Sequence, residues 1–138
     1  MNKKRFAMSL LKAGVVLLVL SGCSYSVPVL KDRAYEMVML ATDPMRPNIV
    51  VNVKNKTFEF VFDSLSSYAN IGTIVIDKDK VIGTTSDQKY TYSFVIVNSD
   101  TLRFDAAGSS EPKTVGGKIA VSDGSEFKYV EGFDKKSN

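Results

Sequence analysis

Two serine pairs, Ser66-Ser67 and Ser109-Ser110, are the first candidates for chemistry in this 138-residue chain. A serine hydroxyl becomes a nucleophile only beside a base. The chain has no histidine, so a lysine would have to serve. Ser64, Ser66 and Ser67 read instead as turn caps, with hydroxyls that bond nearby backbone. A second candidate is Asp77-Lys78-Asp79-Lys80. Calcium asks for six to eight oxygens, and the alternating lysines neutralise such a site, so the stretch reads as a solvated hairpin turn. Gly116-Gly117-Lys118 lacks the residues of a phosphate loop and reads as a turn. The third candidate is aromatic. Tyr68, Tyr90 and Tyr92 lie in a chain rich in phenylalanine, and a small antiparallel barrel can hold a ligand at one mouth. These three tyrosines are the candidate ligand-binding residues; the competing reading is a filled core with tyrosine hydroxyls reaching water at its rim.

Composition narrows the choice. Without histidine there is no Ser-His-Asp or Cys-His catalysis and no His-containing zinc site. The single cysteine allows neither an internal disulfide nor a thiolate cluster. No catalytic residue, metal or cofactor is therefore assigned, and the expected function is not enzymatic. The formal charge of +3 comes from the N-terminus: four of the 18 basic groups lie in residues 1–22, leaving 14 against 15 acids. The remainder carries no electrostatic footprint for nucleic acid.

The elements that would position these residues are strands. Short runs with period-2 alternation recur at 49–53, 57–63, 71–77, 81–86, 89–97 and 101–106, with a first strand at 36–41 and one or two last strands from 118–122 and 126–133. Phe58, Phe60 and Phe62 share one face. Tyr90, Tyr92, Phe94 and Ile96 share another, as do Leu102 and Phe104. Gly72 marks a bulge or tight corner, and Gly83 weakens a strand interior. Turns of two to four residues join most of the runs. The fold expected is all-β: a small antiparallel up-and-down meander or barrel, lipocalin-like, of seven or eight strands, whose closure would remove exposed edges.

The N-terminus reads differently. Lys3, Lys4 and Arg5 precede an apolar run, Ala13 to Leu20, too short for the roughly 20 residues that cross a bilayer. Leu20-Ser21-Gly22-Cys23 follows and resembles the bacterial lipobox. That resemblance implies cleavage before Cys23 and a diacylglycerol, and so palmitate-type chains, on its sulfur. The expected organisation is a signal peptide over 1–22 in helical form, a lipidated Cys23 with a tether over 23–34, a β domain over 35–133 and a frayed tail over 134–138. The expected location is the cell membrane, lipid-anchored on the outer side of the cytoplasmic membrane.

A second resemblance covers about Pro47 to Lys128. The order T-F-x-F-x-F-x-x-L-S-S-Y (57–68), G-T (72–73), T-x-D-x-K-Y-T-Y-x-F (85–94), D-T-L-x-F-D-A (100–106), S-S-E-P (109–112) and D-G-S-E-F-K (123–128) resembles a small β domain of bacterial envelope proteins. That domain occurs as free lipoproteins and as the extracellular C-terminal domain of membrane metallopeptidases of the β-lactam-sensor type. Lys56, Ile74 and Gln88 depart from its pattern, where a glycine, an aromatic and an acid or glycine are usual. The resemblance implies fold and location and imports no peptidase. The expected partners are the membrane, through the anchor, and an envelope protein or small ligand. A binding or sensory module is one reading; a structural or inhibitory lipoprotein acting by protein–protein contact, for instance by adding a strand at an open sheet edge, is the other.

Overall fold

A computed structural model of the chain describes Ser26 and residues 28–39 and 46–132. The signal segment, Cys23, residues 24, 25 and 27 of the tether and the tail at 134–138 lie outside these residues. Eight strands follow one another: β1 (Arg33–Met37), β2 (Asn48–Asn52), β3 (Thr57–Val61), β4 (Asn70–Asp77), β5 (Lys80–Thr85), β6 (Thr91–Asn98), β7 (Thr101–Asp105) and β8 (Glu126–Tyr129). Each pairs antiparallel with its neighbour in sequence, and β8 pairs with β1 through Tyr35–Tyr129 and Met37–Phe127. The sheet is a closed up-and-down barrel, in agreement with the all-β expectation.

Alternation along the strands selects the interior. Ile49 and Val51, Phe58 and Phe60, Tyr92, Phe94 and Ile96, and Leu102 and Phe104 all point inward and are buried. Phe60 sits in the middle with no exposed surface. Its ring meets Tyr92 at 5.0 Å, Phe94 at 5.3 Å and Phe127 at 5.9 Å, all edge-to-face. Such pairs add about 0.5–1.5 kcal/mol each beyond area burial. An eight-stranded barrel is just wide enough for side chains to fill, and here rings fill it. Phe62, expected inward, packs against the edge of this cluster and is only half-buried.

Two glycines let β3, β4 and β5 approach. A Cβ on Gly72 would stand 1.9 Å from the Thr84 carbonyl oxygen, and one on Gly83 would stand 2.8 Å from the Phe58 ring. The glycines of these strands are therefore contact points of backbone and ring.

Three local expectations need correction. The first strand lies at Arg33–Met37, not 36–41; closure requires β1 to meet β8, and Tyr35 and Met37 supply the inward side chains. Residues 118–122 form no strand. The chain reverses at Gly117 (φ +76°), makes one bridge between Lys113 and Ile119, and buries Val121. Finally, β6 begins at Thr91, which leaves Tyr90 just outside it and exposed.

Candidate functional site

The barrel has two different ends. One receives the N-terminal segment and the tight turns β2–β3, β4–β5 and β6–β7. There Leu30 joins the buried cluster, and the Asp32 carboxylate accepts bonds from the backbone N–H groups of Val53 and Lys54. The other end carries the longer connections: residues 62–69, 86–90 and 106–125, together with 38–39 and 46–47.

The three candidate tyrosines converge at this loop-bearing end. Tyr68 arrives on the β3–β4 loop, where Asp63 Oδ1 accepts from the Leu65 N–H at 2.9 Å and Ser66 Oγ accepts from the Tyr68 N–H at 3.1 Å. Its ring meets Tyr90 edge-on at 5.3 Å, and Tyr90 stacks on Tyr92 at 6.5 Å with an interplanar angle of 17°. The Tyr68 hydroxyl donates to Asp87 Oδ1 at 2.7 Å, as does the Thr85 hydroxyl at 2.8 Å. The Lys89 N–H adds a third bond at 3.1 Å. These hydrogen bonds, Tyr68 first, hold the Asp87 carboxyl well below the usual range.

Tyr92 is different. It is buried, and its hydroxyl donates to Asn70 Oδ1 at 2.8 Å. Burial pushes its pKa far upward, so the hydroxyl stays protonated. Beneath it lie Phe58, Phe60 and Phe62. The tyrosines thus form a stepped aromatic surface over a filled interior, with two exposed rings, of which Tyr68 is fixed by a carboxylate.

The serines are structural in their contacts. Ser109 Oγ accepts from the Ser93 N–H at 2.8 Å and donates to the Asp105 carbonyl at 2.7 Å; Ser110 Oγ accepts from the Thr91 N–H at 3.0 Å. Ser66 caps its turn as expected. Sequence reasoning passed over four S-x-x-K spacings: Ser9/Lys12 lies outside the described residues, Ser125/Lys128 leads into β8, and the remaining two, Ser86/Lys89 and Ser110/Lys113, lie at the loop-bearing end. In both, the lysine pairs with a carboxylate, Asp87 or Glu111, and the Ser86 hydroxyl donates to the Ile71 carbonyl. Neither lysine is placed as a base. Asp77 and Lys80 flank a two-residue turn with Lys78 at φ +55°. Lys80 turns away to Asp105 at 2.6 Å, which lowers the carboxyl pKa and raises that of the amine.

Sequence reasoning also missed the surface beside the tyrosines. An open cleft of about 560 Å³ lies among Met39, Phe62, Leu65, Lys118 and Ile119. Leu65, Val115 and Ile119 are exposed around it. Asp63 Oδ2 accepts from the Val115 N–H at 2.6 Å and ties the two loops together. An aliphatic residue inside a serine-rich loop, Leu65, was the available signal. A smaller cleft of about 260 Å³ opens between Phe104, Pro112 and Val121.

No protein-family model matches this chain, and no curated protein or solved structure matches it either.

Proposed function

We propose that this chain is a lipid-anchored, non-enzymatic binding module of the bacterial cell envelope, held at the outer side of the cytoplasmic membrane by Cys23, whose loop-bearing end recognises an envelope protein. The observation that carries this reading is the opposition of the two ends. The N-terminal segment meets the barrel at Leu30 and Asp32, on the side of the tight turns. The stepped tyrosines and the cleft at Leu65 and Ile119 lie on the other side. An anchor on Cys23 turns that second end away from the lipid.

The filled interior favours a partner that meets a surface over a small ligand engulfed within the barrel, because Tyr92 and Phe60 occupy the space such a ligand needs. The closed β1–β8 ladder leaves no open edge among the described strands, which argues against strand addition as the mode of contact. Exposed aromatic and aliphatic side chains beside a fixed carboxylate are the usual makings of a contact surface. The lipobox and the motif order at 57–128 support the envelope setting.

The test is site-specific photo-crosslinking in the native host, with the full chain carrying a photoreactive residue at Leu65 or at Glu59 on the barrel wall. A discrete adduct with one envelope protein from Leu65, absent from Glu59, supports the reading. Equal or no crosslinking at both positions contradicts it.

A further inference from the structure

The end of the barrel that receives the N-terminus is not a plain polar cap. Val29 is 73% exposed, Val75 65%, Ile76 42% and Val97 41%. Val75 and Ile76 lie near the end of β4, and Val97 near the corresponding end of β6; between them runs the β4–β5 turn, fixed to β6 by the Ile96 N–H donating to the Asp79 carbonyl at 2.6 Å. Val53, Lys56, Ile74, Val75 and Ile76 border an open cleft of about 310 Å³ at this same end. Lys31, Lys54, Lys56 and Lys78 are exposed around these aliphatic groups.

We infer that this end is a membrane-contact face, seated on the surface of an anionic bilayer. The inference rests on the lipid-anchor reading and goes beyond it, since an anchor alone leaves the orientation of the barrel open. Three observations select a bilayer as the occupant. The first is reach. The buried Leu30 lies seven residue steps beyond Cys23. At 3.3–3.6 Å per residue they span at most about 25 Å, so a lipidated Cys23 keeps this end, and not the tyrosine end, close to the lipid. The second is the side-chain mixture. Aliphatic groups among lysines suit an interface where apolar atoms sink to the acyl boundary and ammonium groups meet phosphates.

The third is charge. Lys31, Arg33, Lys54, Lys56, Lys78 and Lys80 outnumber Asp32, Asp77, Asp79, Asp100 and Glu131 by one at this end. Asp100 is paired with Arg33 and Asp32 with backbone amides. At the other end, Arg46, Lys89, Lys113 and Lys118 are outnumbered by Glu36, Asp63, Asp87, Glu111, Asp123 and Glu126. An anionic surface attracts the first end and repels the second.

The test uses the full lipidated protein, purified from membranes and reconstituted into phosphatidylglycerol-containing vesicles. An environment-sensitive fluorophore is attached to one introduced cysteine: Val75→Cys or Val97→Cys at the proposed contact face, Leu65→Cys at the opposite end. All three native side chains are exposed, so the label displaces no core. Intact mass first establishes the acyl chains on Cys23. If they are absent, the anchor reading fails. If they are present, the expected result is a blue-shifted emission and quenching by lipid-borne quenchers at 75 and 97, with neither at 65. Lys54→Glu combined with Lys56→Glu should reduce that quenching, because each lysine at an anionic surface favours contact by roughly fivefold. Equal, water-like emission at all three positions on a properly acylated protein overturns the contact face and leaves the anchor standing. Shielding at 75 and 97 in cells but not in vesicles also overturns it, in favour of a protein partner.

Discussion

The Tyr92 hydroxyl donates to Asn70 Oδ1 at 2.8 Å inside the barrel. The bond links β6 to the start of β4 across the floor of the aromatic surface. Both side chains are buried, so neither has water as an alternative. Tyr92→Phe should cost about 1–3 kcal/mol through the unpaired Asn70 amide. Asn70→Ala should cost a similar amount. The double variant should cost less than the sum, since the two removals share one bond. Urea denaturation of the four proteins measures the coupling; strict additivity would show that the bond carries no stability.

Gly83 lies under the Phe58 ring and Gly72 against the Thr84 carbonyl. Gly83→Ala should destabilise by about 1–3 kcal/mol, the usual cost of overpacking a dense core. Gly72→Ala should be worse, because a carbonyl on the backbone cannot rotate aside as a ring can. The order of the two denaturation midpoints is the readout.

Lys56 and Gln88 occupy left-handed backbone, at φ +56° and +61°. A side chain there costs roughly 1–2 kcal/mol that glycine avoids, against about 0.4–1 kcal/mol of extra chain entropy for glycine when unfolded. Lys56→Gly and Gln88→Gly should each therefore stabilise by about 0.5–1 kcal/mol, seen as a raised Tm.

Acid should weaken the fold in a defined way. Asp87 and Asp105 both have carboxyl pKa values lowered in the folded state, by Tyr68 and by Lys80 respectively as the largest cause. A depressed folded pKa gives stability that is present above the unfolded value of about 3.9 and is lost as pH falls below it. Stability should drop between about pH 4 and the folded pKa values. Asp87→Asn and Asp105→Asn should each flatten that acid limb in a pH series of denaturation midpoints, while lowering stability at neutral pH.

How much of this was legible in the sequence follows from which contacts are local. Alternation in 57–63 and 89–97 exposed the core, since Phe58, Phe60, Tyr92 and Phe94 report their face by parity alone. Barrel closure was less legible, because the partner of β1 is nearly a hundred residues away. That distance is why the start of β1 at Arg33 was missed. The run 118–122 looked like a strand because its apolar residues serve one burial, Val121, and one bridge. At the candidate site, Tyr90 and Tyr92 could be placed together by spacing. Tyr68 joins them through Asp87, an approach from another loop that no periodicity encodes. The cleft at Leu65 and Ile119 needs two loops held by Asp63 and was invisible for the same reason.

The central claim is that Cys23 anchors the barrel and thereby decides which end faces outward. Metabolic labelling with a clickable fatty acid, followed by isolation of the full chain, tests it most directly. The account predicts strong labelling of the wild type and none of Cys23→Ser; equal labelling of both would contradict it.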